Sequence, residues 1–113
     1  MNANRSATVM PVSDVDTSVR YYVDVLGFTQ QFRHGKYAGV KMGNVDIHLN
    51  ANGPRIPGNG DIYIFCDEID AYYAAIVARG AVVQGKPGMA EHGMRDFVSL
   101  DPDGNRVSFS VDA

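Results

Sequence analysis

Tryptophan is absent from this chain, and cysteine occurs once, at Cys66. A lone cysteine rules out an intrachain disulfide and CxxC-type metal sites. No apolar run approaches the roughly 20 residues a membrane helix needs, so no membrane partner is expected. Lysine and arginine form no cluster, and the net charge is −3. A nucleic-acid partner is therefore not expected either. The opening MNANRSATV lacks the basic-then-apolar layout of a signal peptide, which makes the cytoplasm the expected compartment. A GxSxG elbow and a Walker-type phosphate loop are both missing, so nucleophilic hydrolysis and nucleotide chemistry find no support.

What is present suits one compact domain. The 113 residues are 45% hydrophobic and 20% charged, enough for a real core and too few for two independent ones. RSATVMPV, residues 5–12, reads as a strand. SDVDTSVRYYVDVLG reads as a helix, with Asp14 or Asp16 as cap and Val15, Val19, Tyr22, Val23 and Leu26 as its apolar stripe. Gly27 sits where a left-handed C-cap is required. Strands follow at 28–34, 37–42 and 44–50, with Gly35-Lys36 and Gly43-Asn44 as turns. ANGPRIPGNG holds three glycines and two prolines and reads as a loop.

The order then recurs. GDIYIFCD is a strand, DEIDAYYAAIVARG a helix with Asp67 as cap, AVVQ a short strand and GKPGMAEHG a loop. RDFVSL and RVSFSV are strands joined by the turn DPDGN. An offset of 53 superposes Asp14 on Asp67 and Gly27 on Gly80; an offset of 60 pairs Ile47 with Val107 and Leu49 with Phe109. The predicted fold is α+β: two tandem βαβββ modules, 5–50 and 60–112, joined by loop 51–59. They form a curved mixed sheet with both helices on its convex face.

In NVDIHLN, Val45, Ile47 and Leu49 alternate with Asp46, His48 and Asn50. The apolar set belongs under the helices, and the polar row points into the concavity. Likewise Ile62, Ile64 and Cys66 face the helices, while Asp61, Tyr63 and Phe65 share the other side. Two aromatics there offer a flat ligand a stacking surface, or else pack at a dimer interface or in the core. Arg95 and Asp96 are a surface ion pair or a charged rim. His34 and His92 adjoin glycines and suit solvent; His92 also lies on a loop able to close over the cavity. The pairs Tyr21–Tyr22 and Tyr72–Tyr73 are most simply helix faces meeting the sheet.

Three stretches, VSDVDTSVRYYVDVLGF, GDIYIFCDEID and RDFVSLDPDGNRVSF, resemble the vicinal oxygen chelate superfamily. That superfamily includes glyoxalase I, extradiol dioxygenases, fosfomycin-resistance enzymes and bleomycin-resistance proteins. The resemblance runs from Ala7 to Val111, and YAGVKMGNVDIHLN and HGMRDFVSLDPDGN look most like the bleomycin-resistance branch. It implies a homodimer that completes its clefts between subunits, with Tyr37 as an aromatic lining residue and His48 at the cavity floor. The metal-ligand positions of the superfamily fall on Ala7, His48, Asp61 and Ser108. Ala7 has no donor and Ser108 is a poor one, which implies a metal-free pocket. The stacking tryptophan of bleomycin-binding relatives has no counterpart, and Gly93 falls near its place. The function implied is sequestration of a small, partly aromatic, antibiotic-like molecule by Tyr37, Asp46, His48, Asn50, Asp61, Tyr63, Phe65 and Arg95. The alternative is a lyase, isomerase or dioxygenase that uses zinc, nickel or iron held by His48 and Asp61.

Overall fold

Asp14 starts the first helix as its N-cap: its carboxylate accepts hydrogen bonds from the Asp16 amide (3.1 Å) and the Thr17 hydroxyl (3.0 Å). Those bonds hold its carboxyl below the usual aspartate pKa. In the computed structural model, which describes residues 1–90 and 93–112, this helix is α1 (Val15–Arg20). It widens into a π-helical turn over Tyr21–Val25, closed by bonds from Leu26 N to Tyr21 O and Phe28 N to Tyr22 O. Gly27 then ends it at φ +88°, a conformation a side chain disfavours.

The strands of the first module are β1 (Thr8–Pro11), β2 (Thr29–His34), β3 (Tyr37–Met42) and β4 (Val45–Asn50), in the order β1-β4-β3-β2. β1 runs parallel to β4, and the other pairs are antiparallel. The second module repeats this with β5 (Asp61–Phe65), α2 (Ile69–Ala78), β6 (Val82–Val83), β8 (Met94–Leu100) and β9 (Arg106–Asp112), in the order β5-β9-β8-β6. β5 is parallel to β9. The α+β fold and the βαβββ repeat are as the sequence predicts. The sheet is two sheets, one per module, because no hydrogen-bonded ladder joins β1 to β5 among the described residues.

Two local expectations need correction. Asp67 is not the cap of α2; Glu68 stands there, left-handed at φ 48° and without a capping bond from its side chain. The loop GKPGMAEHG contains a further strand, β7 (Gly88–Met89), paired with Asp96 and Arg95 on β8. His92 lies outside the described residues.

One buried apolar cluster draws on both modules: Met10, Tyr22, Leu26, Ile47 and Leu49 from the first, Ile76, Phe97, Val107 and Phe109 from the second. The tandem tyrosines face it as expected. Tyr22 is wholly buried, and Tyr72 lies over Phe109 with ring centroids 4.7 Å apart. A polar latch also joins the modules. Asn105, fully buried, donates to Pro11 O (2.8 Å) and to Asp101 Oδ2 (2.8 Å), and accepts from the Gly60 amide (2.6 Å). Tyr22 donates to the same Asp101 oxygen at 3.0 Å, and the amides of Asp103 and Asn105 donate to the other. A Cβ on Gly60 would lie 2.5 Å from Met10 Sδ and 2.8 Å from Asn105 Oδ1, so the chain must be bare there.

Burial raises the Asp101 carboxyl pKa, against these four hydrogen bonds, and pushes the Tyr22 phenol well up. A carboxyl whose pKa is raised by folding binds its proton more readily in the fold. Its contribution to stability is complete below the ordinary carboxylate pKa and is lost as pH rises through the raised value. Replacing Asp101 with Asn is therefore expected to flatten the pH dependence of stability in that interval, measured by urea unfolding at a series of pH values.

Candidate functional site

The polar row of β4 sits where alternation puts it. Ile47 and Leu49 are fully buried in the cluster, while His48 and Asn50 are half-buried on the face away from the helices. Cross-strand pairing sets the neighbours of His48: Val9 on one side, Gly39 on the other, and Phe32 beyond Gly39. A Cβ on Gly39 would fall 2.1 Å from the Phe32 ring, so the ring lies directly on bare backbone. Edge-on to it stands the His48 imidazole, with centroids 5.1 Å apart. Tyr37 stacks on Phe32 at 6.1 Å, and His34 tilts against it at 5.6 Å. The Tyr37 hydroxyl is 2.8 Å from His48 Nδ1, which fixes the imidazole and leaves its Nε2 for another partner. Four aromatic rings thus share the open face of the first module. Phe32 and His34 were not among the expected site residues.

A cavity of about 60 Å³ beside these rings is lined by Arg5, Phe32, Gly39, Lys41, Asp46 and His48. Asp46 departs from a wet surface residue: its side chain is 6% exposed, with Arg5 Nε 3.4 Å from Oδ2 and Lys41 Nζ 3.9 Å from Oδ1. The Arg5 contact is an ion pair by distance but is too poorly aligned for a hydrogen bond, and Oδ2 has no hydrogen-bond partner. Asn50 is committed locally and accepts from the Asn52 amide at 3.0 Å.

On the second module the open face carries Asp61, Tyr63 and Phe65 from β5, in register with Arg106, Ser108 and Ser110 of β9. Phe65 is 69% exposed and Tyr63 43%, their rings edge-to-face at 5.4 Å. The Tyr63 hydroxyl donates to Asp96 at 2.8 Å. The buried Ser110 hydroxyl, in the same row, has no partner. Asp61 is exposed, with Arg106 3.9 Å away. Arg95 lies elsewhere: it shares the face of Phe97 and donates to both carboxylate oxygens of Asp70 on α2 at 2.6 Å. Asp96, its neighbour, is the charged residue of β8 on the open face.

A second, more apolar groove of about 320 Å³ lies on the helix side, lined by Met42, Ile64, Cys66, Tyr72 and Phe109 with Glu68 at its rim. Cys66 faces it, and burial raises its thiol pKa, which disfavours a reactive thiolate. A cavity of about 330 Å³ spans the modules on the other side, between Asp46 and the Tyr63–Phe65 pair.

Among the described residues, no three His, Cys, Asp or Glu side chains come together as a metal site would need. Ala7 precedes β1, and Val9, the β1 residue beside His48, has no donor either. His48 keeps Nε2 available, Ser108 is buried beside Tyr63, and Asp61 lies toward Arg106. A catalytic zinc site typically takes three protein ligands, and of the four superfamily positions only His48 and Asp61 carry a usual donor.

The model of the Glyoxalase/Bleomycin resistance protein/Dioxygenase superfamily matches residues 6–109. The chain belongs to that superfamily. Curated relatives include the bleomycin resistance proteins of Geobacillus stearothermophilus and Staphylococcus aureus, each 26% identical over 126 residues and covering 93% of this chain and 94% of theirs. Among solved structures, a superfamily member from Sphaerobacter thermophilus aligns with a TM-score of 0.85 at 26% identity, over 99% of both chains. TnmS3, an antibiotic binding protein from Streptomyces sp. CB03234, aligns with a TM-score of 0.85 at 24% identity, over 99% of this chain and 98% of that one. That last likeness concerns the fold. In this superfamily member, no helix among the described residues is long and apolar enough to cross a membrane.

Proposed function

We propose that this protein binds a small, partly aromatic molecule on the open faces of its sheets, without a metal, and sequesters it. The observation that carries the reading is the ring set Phe32, Tyr37, His34 and His48 built on bare Gly39, beside a buried carboxylate. Rings arranged edge-on and stacked present a π surface of mixed orientation, and the free imidazole nitrogen adds a directional hydrogen bond. The bleomycin resistance relatives and the antibiotic binding protein of like fold support a ligand of antibiotic type. We further propose that two chains associate, each bringing Tyr63 and Phe65 of its second module to a cleft with the aromatic face of a first module. Light scattering near the monomer mass of 12.3 kDa at micromolar concentration would refute the association.

A thermal-shift screen against antibiotics, glutathione adducts and divalent metals tests the function. For a compound that raises the melting temperature, Phe32→Ala and His48→Ala should each weaken binding by about tenfold, with the loss of one stacked ring or one hydrogen bond. Unchanged affinity in both variants would place the site elsewhere. Against the metal-dependent alternative, EDTA should leave the melting temperature unaltered, and zinc or nickel after chelator-free purification should be well below one per chain. A tight stoichiometric ion, with stability lost on chelation, would reverse that reading.

A further inference from the structure

The N-terminal arm, residues 1–7, is exposed and outside any strand, yet it makes one definite contact with the open face. Arg5 reaches over β4 to Asp46, and Ser6 lines the neighbouring cavity between the modules. Asp46 borders both cavities, the one beside Phe32 and His48 and the one reaching Tyr63 and Phe65. Its carboxylate is 94% buried by side chain, and one oxygen lacks a hydrogen bond. A desolvated carboxylate without a donor is a costly arrangement, and a well-aligned N–H relieves it. The Arg5 guanidinium is 70% exposed and misaligned, so the arm neutralises Asp46 without satisfying it. Lys41, in register across the strand pair, is 3.9 Å from the other oxygen.

We propose that Asp46 is the cation-recognising group of the open face, and that Arg5 holds its place in the free protein until a ligand's own cation displaces the arm. The ligand class is then an aromatic or heteroaromatic molecule bearing an amidinium, guanidinium or ammonium group. Its ring lies on the Phe32–His48 wall and its cation donates to Asp46 Oδ2. Displacement costs little, because the misaligned Arg5 guanidinium is already 70% exposed and returns to water while the incoming cation takes over its pairing with Asp46. The new bond is charge-assisted and aligned, which is the stronger kind. This rests on the binding reading above and adds the sign of the ligand's charge.

The test uses three probes of nearly equal shape and different charge, benzamidine, benzamide and benzoate, with dissociation constants from protein-observed NMR titration. Benzamidine should bind the intact chain tightest. Asp46→Asn should weaken benzamidine by about tenfold or more and leave benzamide unchanged, as expected for a hydrogen bond to a charged group. Arg5→Ala, on the exposed arm, should tighten benzamidine several-fold, because no arm then competes for Asp46, again without effect on benzamide. Equal binding of benzamidine and benzamide, or no gain in Arg5→Ala, overturns the proposal. So does tighter benzoate, which would make Arg5 and Lys41 the receptors of an anion. Failure here leaves sequestration standing if a screened compound still responds to Phe32→Ala; failure of sequestration itself shows as no compound responding to that variant.

Discussion

Asn105→Ala should lower the unfolding free energy by about 3–4 kcal/mol, because each buried polar group left without a partner costs roughly 1–3 kcal/mol. Truncation strips the Gly60 amide of its acceptor, Pro11 O of its donor and Asp101 of one of four bonds, all inside the latch. Water cannot easily compensate, since Asn105 is fully buried and Gly60 and Pro11 are buried with it. Urea unfolding should show a lower midpoint. If the two modules unfold as one unit the slope stays unchanged, whereas a shallower slope would mean that the latch is what couples them. A loss below about 1 kcal/mol would mean that the latch is dispensable, contrary to its geometry. Because Asn105 lies in the second module and Pro11 in the first, the substitution acts on how the modules meet rather than on either helix.

Leu49→Ala and His48→Ala, measured side by side, should separate core from site. Leu49 is wholly buried between β1 and β3, and its truncation should cost about 2–5 kcal/mol, the range for an aliphatic side chain that leaves a cavity. His48 is half-buried and gives up its bond to Tyr37 and an edge contact with Phe32, which should cost about 0.5–1.5 kcal/mol. The two should exchange rank in ligand binding, where His48→Ala is the damaging change. Calorimetric melting with a compound from the screen reads both effects in one experiment. A His48→Ala variant that unfolds while Leu49→Ala survives would contradict the observed register.

The repeat could be read in the sequence because helices and strands are punctuated by the same residues in both halves. Gly27 and Gly80 both end a helix at positive φ, and Asp14 caps as its position suggests. Asp67 misled because the helix starts one residue later, on a strained Glu68 that no propensity favours. The site was half visible. His48, Tyr63 and Phe65 follow from strict alternation. Phe32 did not, since TQQFRH has no apolar rhythm and β2 shifts register between Gln30 and Phe32, which alters which residues share a face. Gly39, which makes room for that ring, looks like any glycine in a strand. Arg95 could have been placed correctly by counting. It shares parity with Phe97 and Ser99, both buried, so Asp96 is the open-face residue of the pair. Asp46 is paired with Arg5, which precedes β1 and lies outside any strand, a contact that alternation says nothing about.

Each module closes by parallel pairing of its first strand with its last, β1 with β4 and β5 with β9. During synthesis this makes the order of emergence matter. The first module has all its strands once Asn50 has left the ribosome, while the second module's share of the common core is still to be made. The second cannot close until Arg106 to Ser110, about 40 residues after β5, appear. Until then β5 remains an unpaired edge bearing Tyr63 and Phe65, the kind of segment that joins a neighbouring chain if translation stalls. Truncation after Leu100 should therefore strip the shared core of Val107 and Phe109 and leave β5 unpaired, so deletions that reach β9 endanger solubility more than their length suggests.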